Sequence, residues 1–206
     1  MYCEKCGTKL GDGVQFCQSC GTSVASTTSS ATAVEYFAIT PTRLILFSIL
    51  TMNLYELYWF YRNWDAVKRA EGSNIQPFWR AWFSIFFAYD LFKRVVRSAK
   101  ESGYMGSASA GWLAAAYIVL YVVGNAWGSM DAASTGTDPL TYLLWFMVSI
   151  CIVPLPLLPI QSAINQHNSK VAPAKPLTKT FTGWEVAIIV GGIIFMALII
   201  IGSLLE

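Results

Sequence analysis

The chain has 206 residues, of which 55% are hydrophobic and 13% are charged, and its mean hydropathy is +0.48. A soluble domain carries about 25% charged residues, so the deficit favours lipid over water as the solvent for most of the chain. The net charge of +2 is too small to indicate a nucleic-acid partner. The first residues are polar and the first apolar run begins near Leu44, so no signal peptide is predicted and we expect a cytoplasmic N-terminus.

Residues 1–24 contain two matching Cys-x-x-Cys-Gly sequences, with the cysteines at Cys3, Cys6, Cys17 and Cys20. Each Cys-x-x-Cys turn directs two thiolates at one ion, and the glycine that follows permits a tight backbone. Four thiolates predict one structural Zn²⁺ ion with no open coordination position for catalysis. The alternatives are a redox pair, which is usually single, and two disulfides, which need an oxidising compartment.

The stretch from Tyr2 to Thr22 resembles the short zinc ribbons at the ends of many prokaryotic proteins, which implies a small β-type fold. Its Lys5 and Lys9 are balanced by Glu4 and Asp12, so the basic stripe that phosphate binding needs is missing. We therefore expect the ribbon to be a protein-docking or structural module rather than a nucleic-acid reader.

Residues 25–40 are rich in Ser, Thr and Ala without periodicity, which predicts a flexible linker to a helical membrane domain at 41–206. About 20 apolar residues are needed to cross a hydrocarbon core of ~30 Å. By this criterion we expect five transmembrane helices, at residues 43–61, 78–92, 110–130, 140–160 and 184–205. The predicted fold class is an all-α polytopic membrane protein with a small N-terminal β-type zinc ribbon.

Residues 54–64 form a dense aromatic run that is typical of a membrane–water interface. Three ionisable residues fall inside the first two predicted spans and form a candidate intramembrane polar site: Glu56, Arg80 and Asp90. An intramembrane charge costs about 2.5–3.5 kcal/mol, so each residue is expected to have a partner or to reach the interface. Glu56 would pair with Arg80, and Asp90 with Lys93 or Arg94 one helical turn on.

This region also resembles prokaryotic membrane modules, themselves uncharacterised, in which a Y-E-x-Y-W-F-Y-x-N-W run precedes a P-F-x-R-A-x-F segment. The matching residues are Tyr55–Trp64 and Pro77–Phe83. The resemblance implies a membrane location and brings no activity with it.

Several residues of the later segments carry structural predictions. We expect close helix packing at two pairs of glycines, Gly124 with Gly128 and Gly191 with Gly192. For the first pair we expect the packing to be within the chain and not between the subunits of a dimer. The prolines Pro154, Pro156 and Pro159 are expected to end a helix as it leaves the bilayer. The alternative is a broken helix that marks a site, as in transporters. We expect Cys151 to be a small core residue and residues 161–182 to form a polar loop, in which His167 has no assigned role.

Positive-inside counting decides the topology, because loops 93–109 and 161–182 are basic while loop 130–139 carries only acids. Five crossings from a cytoplasmic N-terminus satisfy the rule except at loop 62–76, which would be external although it contains three basic residues: Arg62, Lys68 and Arg69. The alternative keeps residues 44–92 on the cytoplasmic side as re-entrant or interfacial helices.

The sequence predicts no enzyme, because it contains no catalytic triad pattern, phosphate-binding glycine loop or open metal site. We predict a multi-pass protein of the cell (inner) membrane whose zinc ribbon binds a protein partner and so scaffolds, docks or regulates a membrane complex. Its other partner is the lipid bilayer, and oligomer formation stays open. The alternative is a small transporter or channel that uses Glu56, Arg80 and Asp90. A third option is membrane remodelling or a stress response through the aromatic segments.

Overall fold

A computed structural model describes residues 3, 5–9, 17–21, 33–133, 139–173, 177 and 181–205. The chain divides into two compact units, Met1–Ala33 and Val34–Glu206. The boundary falls inside the predicted linker, so residues 34–40 belong to the second unit, whereas residues 25–32 lie outside the described residues.

The described residues of the second unit form eight α-helices: α1 (Pro41–Leu50), α2 (Leu54–Glu71), α3 (Pro77–Trp82), α4 (Ser84–Glu101), α5 (Ala110–Ala133), α6 (Pro139–Ile152), α7 (Leu157–Val171) and α8 (Gly183–Leu205). Thr40 caps α1 through a hydrogen bond from the Arg43 backbone N–H, and Pro41 occupies the first helical position. An aromatic core joins α2, α4 and α5, where Phe60 stacks on Phe92 at 6.2 Å and contacts Tyr117 in a tilted arrangement at 5.4 Å.

The predicted span 43–61 is interrupted, because α1 ends at Leu50 and α2 begins only at Leu54. Met52 and Asn53 lie between them with φ of +51° and +65°, a left-handed backbone that stops a helix. Ten residues give α1 a length of about 15 Å, half of a hydrocarbon core. The helix α2 is amphipathic and carries ionisable residues along its length: Glu56, Arg62, Asp65, Lys68, Arg69 and Glu71. Neither helix alone is an apolar span.

The predicted span 78–92 is also divided, here at Phe83 between α3 and α4. The helix α4 continues to Glu101 and is amphipathic, with one face in the core: Leu91, Phe92, Val95, Val96 and Ala99. The dense aromatic composition of this segment therefore gave no indication of the helix break at Phe83 or of the polar face of α4.

The segment predicted to cross at 140–160 contains two helices, α6 and α7, with a turn over residues 153–156. The break expected at Pro154 and Pro156 is confirmed, whereas Pro159 lies in the first turn of α7, where a missing N–H costs no helical hydrogen bond. The polar loop predicted from residue 161 is wrong up to Val171, because α7 continues and buries its polar face. Cys151 is exposed on α6 and is not a core residue.

Two helical segments of the described part of the chain are long and apolar enough to cross a membrane: Leu143–Val171, in which α6 and α7 are joined by their turn, and Glu185–Gly202 within α8. None of the α8 stretch is buried inside the protein, as expected for a helix whose solvent is lipid. A shorter apolar stretch covers Ala110–Ala126 of α5. The fold is therefore mostly helical with two candidate membrane helices, not the predicted five.

Of the glycines predicted to allow close helix packing, Gly192 lies in a tight contact between helices, while the surroundings of Gly128 lie outside the described residues. A Cβ built on Gly192 of α8 would lie 2.7 Å from both the Cβ and the carbonyl oxygen of Leu50 at the end of α1. A Cβ on Gly124 of α5 would lie 3.5 Å from Ser149 of α6. Gly191 faces open space, so only one glycine of that pair packs.

Candidate metal centre and buried polar clusters

The four cysteines of the first unit converge on one point. The Sγ atoms of Cys3 and Cys20 are 3.6 Å apart, those of Cys6 and Cys17 are 3.5 Å apart, and all four lie within 4.8 Å of one another. In a tetrahedral site with Zn–S bonds of ~2.3 Å, the sulfurs are separated by ~3.8 Å. The cluster therefore fits one zinc ion.

The backbone around the cysteines explains the glycine after each pair. Gly7 and Gly21 have φ of +69° and +64°, and their N–H groups donate to the carbonyls of Cys3 and Cys17 at 2.8 Å. This conformation suits glycine because other residues are strained there. The described residues of this unit contain a single β-bridge residue, Lys9, and no strand, while residues 10–16 lie outside the description.

Two thiols of the cluster have pKa values shifted in opposite directions. The backbone N–H groups of Ser19 and Cys20 act to lower the pKa of Cys17, but burial and hydrogen bonds with the Cys6 and Cys20 side chains raise it to about 11. Hydrogen bonds with the side chain and backbone of Thr8 lower the pKa of the Cys6 thiol to about 6, and thiolate is the ligand form of cysteine. Cys3 and Cys17 are buried while Cys6 is exposed. Four protein ligands complete a tetrahedral zinc, so the ion has a structural role and no position for a reacting water.

Residues 2–24 match the zinc-ribbon domain family. The match ends before the first helix of the second unit, so it identifies the ribbon and leaves the helical unit unassigned. No curated protein and no solved structure matches the chain. The zinc ribbon and its one structural metal ion are thus established by the family match and by the sulfur geometry together.

In the helical unit, Glu56 lies in the first turn of α2 and is 1% exposed. Its Oε2 atom accepts a hydrogen bond from the Tyr117 hydroxyl of α5 at 3.0 Å. Its Oε1 atom has no hydrogen-bond partner among the described residues, and the same holds for Ser48 Oγ and Asn53 Oδ1 nearby in sequence. The predicted pairing of Glu56 with Arg80 is therefore wrong, because a tyrosine is its partner.

Arg80 and Asp90 belong to a different cluster. Arg80 donates to Asp90 at 3.2 Å, and Asp90 also accepts from Arg94 at 3.2 Å, which confirms the predicted Asp90–Arg94 pair. Arg94 continues the network to Glu71 of α2. The Arg80 guanidinium also lies 4.3 Å from the ring of Trp64, a cation–π contact. The predicted polar site is thus divided into two separate groups, Glu56 with Tyr117 and the cluster around Asp90. In the second group, which is partly exposed, each charged side chain has a partner of opposite charge.

A feature that the sequence analysis missed is an amide latch, the set of side chains that hydrogen-bonds the backbone of the extended segment 34–39: Asn63, Gln161, Asn165, His167 and Asn168. Asn168 bonds both backbone groups of Tyr36, at 3.2 Å to the N–H and 2.7 Å to the carbonyl. Asn63 accepts from the N–H of Phe37 at 3.1 Å.

Most of the amide latch lies on α7, at the region predicted to be a loop. Gln161 donates to the carbonyl of Phe37 and accepts from Trp59 Nε1 at 2.6 Å. His167 Nε2 donates to the carbonyl of Val34 at 2.9 Å, and its Nδ1 lies 2.7 Å from the Ser102 hydroxyl and 3.0 Å from the carbonyl oxygen of Ser98. Because these hydrogen bonds are made to main-chain groups, they fix the backbone path of residues 34–39 and do not depend on the side chains of that segment. The amide side chains at positions 161, 165 and 168 are spaced by four and three residues, which places them on one face of a helix. This spacing is the sequence pattern that could have indicated the amide latch.

A cavity of about 620 Å³ lies between residues 37–40, the start of α2 and the start of α8. On its wall, buried Arg43 pairs with Glu185 at 3.2 Å and lies 4.5 Å from the ring of Phe181. Glu185 and Thr182 form a reciprocal capping box at the N-terminus of α8. This ion pair ties the first turn of α1 to the first turn of α8.

Proposed function

We propose that the protein is an integral protein of the cell (inner) membrane in which a cytoplasmic zinc ribbon docks on a protein partner and thereby scaffolds or regulates a membrane complex. One observation carries this proposal: a metal site with four protein ligands shares the chain with Glu185–Gly202, a long apolar helical stretch of which nothing is buried. A closed zinc site performs no chemistry, and its usual use is to shape a small surface for binding.

The membrane topology that fits best has three crossings, by α5, by α6 with α7, and by α8. The 24 residues of α5 extend about 36 Å, enough for the hydrocarbon core. This arrangement keeps every basic loop in the cytoplasm, including the residues that a five-span topology would expose outside: Arg62, Lys68 and Arg69. The acidic loop between α5 and α6 is then external.

The helices α1 and α2 form a re-entrant hairpin in this topology. The first turn of α1 meets the first turn of α8 through Arg43 and Glu185, and its last residue, Leu50, meets Gly192. Gly192 is the tenth of the 23 residues of α8, so the turn at residues 51–53 reaches about the middle of the bilayer. Irregular backbone at that depth needs hydrogen-bond partners within the protein, and the N–H groups of residues 51–53 donate to carbonyls of α1.

The ribbon is tested by serine substitution of Cys3, Cys6 and Cys17 in the full-length protein, with Cys151→Ser as a matched control outside the cluster. We expect the triple variant to lose its zinc and its cross-linked partners while it stays in the membrane fraction after alkaline extraction. Partner recovery that is the same in the triple variant and the control would exclude docking through the ribbon.

A second candidate function, an ion pathway, is favoured by the buried oxygens of Glu56, Ser48 and Asn53 that have no hydrogen-bond partner among the described residues. Interrupted helices with available polar groups near the membrane centre line ion sites in transporters. Under this candidate, ion flux into proteoliposomes falls in Glu56→Gln and persists in Asp90→Asn, because Asp90 belongs to the separate Arg80 cluster. Equal flux in Glu56→Gln and the unmodified protein would exclude it.

A further inference from the structure

The helices α3 and α4 expose an unusual amount of aromatic surface. The six exposed aromatic side chains are between 44% and 74% exposed: Phe78, Trp79, Trp82, Phe83, Phe86 and Tyr89. Their rings contact one another, since Phe78 stacks on Trp82 at 6.1 Å and Trp79 stacks on Phe83 at 6.1 Å. A continuous apolar patch of this kind marks an interaction surface, because water does not favour it.

The patch continues along α4 as a stripe whose chemistry changes. Exposed residues recur every three or four positions, at Phe86, Tyr89, Lys93, Arg97 and Lys100. The stripe is aromatic up to Tyr89 and basic from Lys93, over a helix length of about 10 Å on each side of Lys93. The opposite face of α4 is packed in the core, so the stripe is held in one orientation.

The stripe changes from aromatic to basic residues at the level where the apolar helix α5 begins. A Cβ at Gly111, the second residue of α5, would lie 4.0 Å from the ring of Tyr89. The last aromatic residue of the stripe is therefore level with the first apolar turn of the neighbouring helix. A membrane surface produces this alignment, because all helices enter the hydrocarbon at one level.

The charges of α4 indicate which lipids would face the basic part. Asp90 is engaged by Arg80 and Arg94, and Arg97 pairs with Glu101 in the exposed part of the helix. The two lysines, Lys93 and Lys100, add positive charge to the stripe on either side of Arg97. Each lysine close to an anionic leaflet strengthens attraction about five-fold.

We infer that the α3–α4 stripe is a lipid-binding surface, with its aromatic part in the acyl region of the cytoplasmic leaflet and its basic part on the phosphates of anionic phospholipids. This inference rests on the proposed membrane location. Trp79 and Trp82 would then contact acyl chains, while Lys93 and Lys100 would select anionic over zwitterionic headgroups.

The test uses full-length protein in bilayers that contain brominated phosphatidylcholine or brominated phosphatidylglycerol at equal mole fraction. Bromine quenches tryptophan fluorescence on contact. The difference in emission between the unmodified protein and the Trp79→Phe/Trp82→Phe variant gives the emission of these two tryptophans alone. We expect quenching by both lipids, stronger with phosphatidylglycerol. Lys93→Gln/Lys100→Gln should lose most of that preference, while Lys68→Gln/Arg69→Gln on α2, a matched removal of two charges, should retain it.

Three results would overturn the inference: emission quenched by aqueous iodide instead of bromolipid, which indicates water or a protein partner at the stripe; equal quenching by the two lipids; or an unchanged preference in the lysine variant. The lysine variants keep both tryptophans, so they test the surface even if the tryptophan variant does not fold. Flotation of every variant with the vesicles is measured in parallel. Failure to float contradicts the membrane location itself, and is thus distinguished from failure of the lipid surface.

Discussion

The contact of α8 with α1 makes opposite predictions for two adjacent glycines. In Gly192→Ala the new methyl group would lie 2.7 Å from the Cβ and the carbonyl oxygen of Leu50, about 0.7 Å closer than the 3.4 Å at which ordinary contact begins. Both atoms are fixed by the backbone, so no side-chain rotation relieves the overlap and the two helices must separate. Overpacking of this kind costs about 1–3 kcal/mol of folding free energy.

In Gly191→Ala the new methyl group enters open space, and alanine stabilises a helix by about 1 kcal/mol relative to glycine. Thermal unfolding of the two variants in mild detergent measures the contrast, at about 2–4 °C per kcal/mol for a protein of this size. We expect Gly192→Ala to melt several degrees below the unmodified protein and Gly191→Ala to melt at the same temperature or above it. If Gly192→Ala is as stable as Gly191→Ala, the contact of α1 with α8 is wrong, and the re-entrant hairpin loses its main support.

Three further predictions concern single side chains. Replacement of Cys20 by Ser should abolish the one bound zinc per chain, measured by elemental analysis, without a change in the melting temperature of the helical unit; retained zinc would contradict the four-sulfur site. Tyr117→Phe removes the only hydrogen bond of the Glu56 carboxyl group among the described residues and should lower the free energy of unfolding by about 1–3 kcal/mol, whereas an unchanged stability would mean that the carboxyl group has another partner. Asn168→Ala removes both bonds to Tyr36 and should speed proteolysis near residue 34, while Ser169→Ala, at an exposed neighbour, should not; equal cleavage rates would refute the amide latch.

The zinc site was predictable because its information is local. The spacing of Cys3, Cys6, Cys17 and Cys20 and the glycine after each pair specify the ligands and the turn, and neither depends on the rest of the fold. The proline break after α6 was predictable for the same reason, since a missing N–H acts on its own helix.

The helical unit was harder to predict because apolar composition does not distinguish one long helix from two shorter helices joined by a turn. The break at residues 51–53 is closed by local main-chain hydrogen bonds, from Met52 N–H to the carbonyl of Ile49 and from Asn53 N–H to the carbonyl of Ser48, and it lacks the glycine that usually marks such a helix end in a sequence. The partner of Glu56 is likewise 61 positions away in the chain, so no local rule leads from Glu56 to Tyr117. The polar amides of α7 are typical of a loop when read locally, and their acceptors on residues 34–39 lie even farther along the chain, at separations of 126 and 132 positions for Asn165 and Asn168.

The central claim, a cytoplasmic re-entrant hairpin beside crossing helices, is tested most directly by cysteine labelling at two exposed positions in a Cys151→Ser background. Asn74→Cys lies in the connection between α2 and α3, and Gly202→Cys lies near the end of α8 in open space. With a membrane-impermeant reagent on intact cells, the account predicts that Gly202→Cys reacts and that Asn74→Cys reacts only after permeabilisation. Reaction of Asn74→Cys in intact cells would contradict the account and restore the five-span topology.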